Sequence, residues 1–84
     1  MASQVRHILA AFPQGNLIPL DLAAGLKVLP DGRVIIIDSN NDVLIMFDPA
    51  DFEGVERSLV LETLRRLLTA ISRGKVVELP EWLQ

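Results

Sequence analysis

Residues 38–42 read Asp-Ser-Asn-Asn-Asp and carry the oxygen-bearing side chains from which calcium sites are built. Their oxygens fall at positions 1, 3 and 5, as in the loop of an EF-hand, which then requires glycine at position 6 and glutamate at position 12. Val43 and Pro49 occupy those two positions here. Because the segment also consists of turn-forming residues, we interpret it as a hairpin turn without a metal ion.

Acidic residues are concentrated in the middle of the chain. Residues 21–53 contain seven carboxylates and two basic side chains, which gives this segment a net charge of −5. Most of these carboxylates stand where turns and helix caps are expected, and local hydrogen bonding explains them there. Convergence of several would create a magnesium or calcium site. A small enzyme or metal-binding subunit that uses these acidic loops is therefore one alternative function.

Four basic side chains near the end of the predicted long helix form a second candidate site: Arg65, Arg66, Arg73 and Lys75. Such a cluster is a candidate for binding phosphate or another anion, and a nucleic-acid-binding regulator is therefore another alternative function. Positive charge also stabilises the carboxyl end of a helix without a ligand, by ~0.3–1 kcal/mol. The net charge of −3 and the few aromatic residues argue against nucleic acid as a partner.

The composition gives little support to nucleophilic catalysis. The chain has one histidine, His7, and neither cysteine nor tyrosine. A hydrolase-type relay would need His7, on a short terminal helix, to meet both a hydroxyl group and an acid. The five glycines are isolated from one another, so the sequence has no glycine-rich phosphate loop. We therefore predict a protein that is not an enzyme and that binds no cofactor.

Length and composition are typical of a small globular domain. The 84 residues suffice for one domain, residues 1–84. Half of them are apolar, too many for a disordered segment, yet no uncharged apolar run approaches the ~20 residues of a membrane span. The apolar stretch near the amino terminus is too short for a secretory leader. We expect a cytoplasmic protein that does not bind membranes.

The first third of the chain predicts a helix followed by a strand. Apolar residues at helical spacing indicate a short helix over residues 3–12, which a turn signal ends. Alternation of apolar residues over residues 17–29 predicts an edge strand with a kink at Ala24 and Gly25. A short helix over residues 21–29 is the competing interpretation.

The middle of the chain predicts a hairpin. Two apolar, largely β-branched runs at residues 33–38 and 43–47 are separated by the polar turn described above. Neither run alternates with polar residues, so we expect both faces of this hairpin to be covered.

The last third predicts one long amphipathic helix. It covers residues 55–73, with an apolar stripe at 3.6-residue spacing and Gly74 at its end. Asp48 and Pro49 mark an earlier helix start of about one turn. Residues 75–79 follow as a short strand or an extended tail. The predicted fold is α+β: a short N-terminal helix, an antiparallel meander of three or four strands, one long helix packed on the sheet, and the tail.

The apolar content exceeds what one thin core needs. A chain of this size buries only ~60–65% of its unfolded surface, and one long helix covers one face of a sheet. Homodimerisation is the simplest way to cover the rest, and we expect a non-catalytic protein-interaction or regulatory module that acts as a homo-oligomer and binds another protein. The candidate interface residues are Val34, Ile35, Ile36, Ile37, Leu44 and Met46.

Thermal unfolding tests the prediction that the protein uses no metal ion. Melting curves with calcium, magnesium or zinc should superimpose on those recorded with a chelator, because only a ligand that binds the native state stabilises it. A rise of several degrees in Tm, together with stoichiometric binding of the metal ion with a Kd below ~100 μM, would contradict this prediction.

Overall fold

The computed structural model describes residues 7–84 and shows the α+β architecture that the sequence predicts. These residues form five strands in two antiparallel sheets, and one α-helix. The elements are β1 (Leu9–Phe12), β2 (Asn16–Pro19), β3 (Ala23–Val28), β4 (Val34–Asp38), β5 (Val43–Phe47) and α1 (Arg57–Ser72).

The prediction of a helix over residues 3–12 is wrong for the part that the structure describes. Leu9–Phe12 is strand β1, paired antiparallel with β2; residues 3–6 lie outside the described residues. A run this short fits either the helical or the strand period, and burial alternates along β1. The turn that follows, with Gln14 at φ 68° and Gly15 at φ 76°, folds the chain back into a hairpin.

The strand predicted over residues 17–29 is in fact two strands in different sheets. A 3-10 turn at Leu20–Leu22 separates β2 from β3. The predicted kink is confirmed, because the register between β3 and β4 shifts between Ala23 and Gly25. The competing interpretation, a helix over residues 21–29, is wrong.

The predicted central hairpin is confirmed as β4 and β5, and β3 completes a three-stranded sheet in the order β3-β4-β5. Helix α1 follows and buries Val60, Leu64 and Leu67 in the core that it shares with this sheet. Its bounds lie within two residues of the prediction. Asp48 caps a separate 3-10 turn, since its Oδ1 accepts a hydrogen bond from the Ala50 N–H at 2.9 Å.

One hydrophobic core joins both sheets, α1 and the C-terminal segment. Its aromatic centre is Phe47, whose ring centroid lies 4.9 Å from that of Phe12 and 5.8 Å from that of Phe52, edge to face. The C-terminal segment has no strand after α1, but its last turn places Trp82 5.1 Å from Phe52 and buries Leu83 completely. The carboxyl terminus is therefore part of the core.

Asp21 holds the beginning of β1 in place. Its Oδ1 accepts a hydrogen bond from the Ile8 N–H at 2.8 Å, and its Oδ2 lies 2.8 Å from His7 Nδ1. Partial burial raises the pKa of the Asp21 carboxyl, but the hydrogen bonds with His7 and Ile8 outweigh it, and the net pKa is lowered from its usual value.

The Asp21→Asn variant should be less stable than the wild type near pH 6 and equally stable in acid. A carboxyl group whose pKa is lower in the folded protein than in the unfolded chain stabilises the protein at pH values above its unfolded pKa of about 3.9. This contribution is lost as the pH falls through the folded pKa. Urea unfolding at pH 6, 4 and 3 measures the difference. Asp51→Asn, which removes an exposed carboxyl elsewhere on the chain, is the control. A difference that persists at low pH would contradict the assignment.

Candidate functional site

The two faces of β4 have different surroundings. Val34 and Ile36 are fully buried within the core that includes α1, whereas Ile35 and Ile37 lie outside that core cluster. Alternation along a strand places the two pairs on opposite faces of the sheet. Val34 and Ile36 therefore belong to the chain's own core, and the prediction that they form part of an interface is wrong.

The apolar residues of β4 and β5 on the opposite side of the sheet form what we call the outer face, made up of Ile35, Ile37, Val43 and Met46. Ile35 is paired with Met46 and Ile37 with Val43, and paired residues share a face. Val43 is 56% exposed and Met46 is 49% exposed. The outer face is thus an apolar surface two rows deep.

A register shift decides which residue of β5 joins the outer face. The pairing of β4 with β5 skips Leu44 after Ile36, and Leu44 is partly buried against the core. Val43 takes the outward position that the sequence prediction gave to Leu44. No signal in a continuous apolar run shows where such a bulge falls, so this residue could not be found from sequence.

Ile37 is buried although it does not belong to the core cluster that α1 shares with the sheet. Gly25 is its partner on β3, and a Cβ built on Gly25 would lie 3.5 Å from Ile37 Cγ1. The sec-butyl group of Ile37 therefore packs over Gly25, at a distance that would still be an ordinary contact for a methyl group on β3. In the next row, Lys27 stands opposite Ile35 and supplies a charge at the β3 edge of the outer face.

A smaller apolar surface lies on the β1–β2 hairpin. Leu9 is 50% exposed and Leu17 is 62% exposed. Their cross-strand partners, Pro19 and Ala11, are partly exposed as well. This surface gives the chain a second apolar area that its own residues leave open in the described part.

The structure brings all four predicted anion-binding residues to one place. Arg65, Arg66, Arg73 and Lys75 line an open concavity of about 350 Å3 with Thr69 and Ala70, which we call the basic concavity. Within residues 7–84, none of the four cations has a carboxylate oxygen within 4.0 Å.

The turn after α1 explains how Lys75 reaches this concavity. Gly74 adopts a left-handed φ of 71°, which folds the chain back on the helix. The N–H of Lys75 then donates to the carbonyl of Ala70, and that of Gly74 donates to Ile71, both at 3.0 Å. These bonds satisfy the carbonyls of Ala70 and Ile71 and place Lys75 beside the final turn of α1.

Residues 38–42, the segment that resembles the start of a calcium loop, form a turn in the structure. Asp38 Oδ1 accepts hydrogen bonds from the N–H groups of Asn40 and Asp42, at 2.8 Å and 3.0 Å, and Asn41 has a φ of 65°. In the described part of the chain, no three histidine, cysteine or acidic side chains are grouped so that they could hold a metal ion.

Comparison of the chain with protein-family models, with curated protein sequences and with solved structures finds no significant match. Among residues 7–84, α1 and the 3-10 turns include no segment with both the length and the apolar character of a transmembrane helix.

Replacing Gly74 with alanine should destabilise the protein by about 1–2 kcal/mol, because a Cβ disfavours the left-handed conformation. A Cβ there meets no atom within 4 Å, so the cost arises from the backbone alone. Gly25→Ala is the control, since Gly25 lacks a positive φ and its Cβ would make an ordinary contact. Denaturant unfolding compares the two variants, and equal losses would contradict the role assigned to the Gly74 turn.

Proposed function

We propose that this chain is a small, non-catalytic protein-interaction module that acts in the cytoplasm as a homodimer, with the outer face of its three-stranded sheet as the interface. The observation that supports this proposal is the apolar character of that face. Ile35, Ile37, Val43 and Met46 occupy two adjacent rows, and two of them are about half exposed. Contiguous apolar surface of this kind marks interaction sites, whereas single exposed apolar residues are common on any protein.

A protein surface suits this face better than a small molecule does. The outer face is an open sheet surface, whereas sites for small apolar ligands are concave and enclose most of the ligand. Three concavities in the described part of the chain, each lined in part by α1, include none of the four residues of the outer face. A second sheet packed about 10 Å away would bury both rows at once.

Charge placement favours a second copy of the chain as the occupant. Lys27 lies at the β3 edge of the outer face, in the row of Ile35 and Met46. Asp48 follows Met46 by two residues in extended backbone, which puts it on the same face at the β5 edge. A twofold axis parallel to β4 lays the β3 edge of each copy over the β5 edge of the other. Lys27 of one copy then approaches the Asp48 end of its partner at both edges.

The apolar surface of the β1–β2 hairpin stays open in this dimer model, and we assign it to the binding of another protein. Leu9 and Leu17 are its most exposed residues. It is separate from the three-stranded sheet, since β1 and β2 pair only with each other among the described strands.

Substitution of Val43 tests the proposed interface. Light scattering coupled to size-exclusion chromatography should give the wild type twice the 9.3 kDa chain mass. Val43→Lys should give the single chain mass with an unchanged circular dichroism spectrum, because an exposed position accepts lysine in the monomer but not in an apolar interface. Val76→Lys is the matched control, since Val76 is a fully exposed valine away from the sheet, and it should stay dimeric.

Three outcomes would count against the proposal. A wild-type mass near 9.3 kDa that does not change with concentration would exclude the homodimer. A dimer that survives Val43→Lys would place the interface elsewhere. Loss of the dimer in Leu17→Lys, with Val43→Lys unaffected, would move the interface to the β1–β2 hairpin.

A further inference from the structure

We propose that the basic concavity is a binding site for a polyphosphate group, such as the diphosphate or triphosphate chain of a small molecule. The site is formed by Arg65 and Arg66 on α1, by Arg73 at its end, and by Lys75 in the turn beyond, and the hydroxyl of Thr69 lies among them. This inference concerns a different surface from the proposed interface and does not depend on it.

Stabilisation of the helix end accounts for only half of this cluster. The favourable effect of positive charge on the helix dipole is confined to the last turn. Arg73 and Lys75 lie there, but Arg65 and Arg66 precede the end of α1 by about two turns. Glu62 lies one turn before Arg66, at the spacing of a favourable ion pair, yet it makes no ion pair with Arg66.

Four cations that have no carboxylate partner within residues 7–84 repel one another around one concavity, and a multivalent anion removes that repulsion. Glu78 lines a neighbouring groove with Arg66, but its carboxylate oxygens also lie more than 4.0 Å from the charged nitrogens of these cations. Guanidinium groups match phosphate oxygens with two parallel hydrogen bonds, and lysine adds a point charge. Several phosphates in a chain would engage several of these groups together, whereas one phosphate would engage one or two.

The size and lining of the concavity select a phosphate chain over a nucleic acid. Its volume of about 350 Å3 lies at the small end of the range for small-molecule sites. Arg65 and Thr69 also line an adjoining concavity of about 370 Å3 between α1 and β3, which gives a chain of phosphates room to continue. Neither concavity has an aromatic residue on which a base could stack.

The Gly74 turn reduces the opposing effect of two carbonyls at the carboxyl end of α1. The carbonyls of Ala70 and Ile71 would otherwise present their oxygens to an incoming anion. Both accept backbone N–H groups from the turn at 3.0 Å. The same turn brings the ammonium-bearing residue Lys75 to the concavity, so one backbone feature shields the carbonyls and adds a cation.

Isothermal titration with inorganic tripolyphosphate, pyrophosphate and orthophosphate tests this site in the intact protein at 50 mM salt. We expect saturable binding of one tripolyphosphate per chain, with affinity that decreases as the phosphate chain shortens. Arg66→Gln should weaken tripolyphosphate binding about tenfold, the loss expected for one charge-assisted hydrogen bond. Arg57→Gln makes the same change in net charge at the opposite end of α1, where Arg57 is exposed, and should alter the affinity less than twofold.

Further arms identify what carries the phosphate. A nucleoside triphosphate that binds with the same affinity as tripolyphosphate would show that the site recognises the phosphate groups alone. A nucleoside triphosphate that binds more tightly than tripolyphosphate would show that the site also recognises the molecule to which the phosphates are attached. Both results support the site. Circular dichroism of each variant confirms that the exposed substitutions leave the fold intact.

The proposal is overturned if the wild type shows no saturable binding of tripolyphosphate up to millimolar concentration. Equal weakening by Arg66→Gln and Arg57→Gln would also overturn it, because net charge and not the concavity would then determine binding. Binding of a single-stranded oligonucleotide without binding of tripolyphosphate would replace it with a nucleic-acid site.

Discussion

The structure depends on one constraint: its central strand is apolar on both faces, and residues 7–84 provide a single α-helix to cover it. Val34 and Ile36 on the inner face of β4 are fully buried, and Val60 and Leu64 of α1 are fully buried in the same core. Burial of each such side chain contributes about 1.5–3 kcal/mol, so this contact is a large contribution to stability. The same helix cannot lie on the opposite face, which leaves Val43 and Met46 about half exposed.

The rest of the chain closes the edges of that core. The β1–β2 hairpin contributes Ala10 and Phe12, and the final turn contributes Leu83, all of which are buried. Rings from three separate segments meet edge to face around Phe47, and Trp82 extends this group toward the carboxyl terminus. A domain of this size needs such contributions from both ends of the chain, because its surface is large relative to its volume.

Elements with their own local chemistry could be predicted from sequence, and those whose form depends on distant contacts could not. The Asp48 cap, the Gly74 turn and the polar turn between β4 and β5 follow from residue type alone, and so does the 3.6-residue stripe of α1. Residues 9–12 were expected to be helical because their spacing fits both periods; pairing with β2 decides in favour of a strand. Likewise, Val43 lies on the outer face in place of the predicted Leu44 because a bulge in β5 packs Leu44 against the core.

The basic concavity illustrates the same distinction within one site. The four cations are evident in the sequence, but Lys75 lies ten residues after Arg65, and an extended chain would carry it away from the helix. Gly74 reverses the chain and returns Lys75 to α1, so the assembly of the site depends on one left-handed residue. The four cations are exposed residues of α1 and its following turn, whereas the outer face lies on the side of the sheet away from the core that α1 shares. If two copies associate through the outer face, their basic concavities are left open, and a ligand there is bound without competing with the dimer.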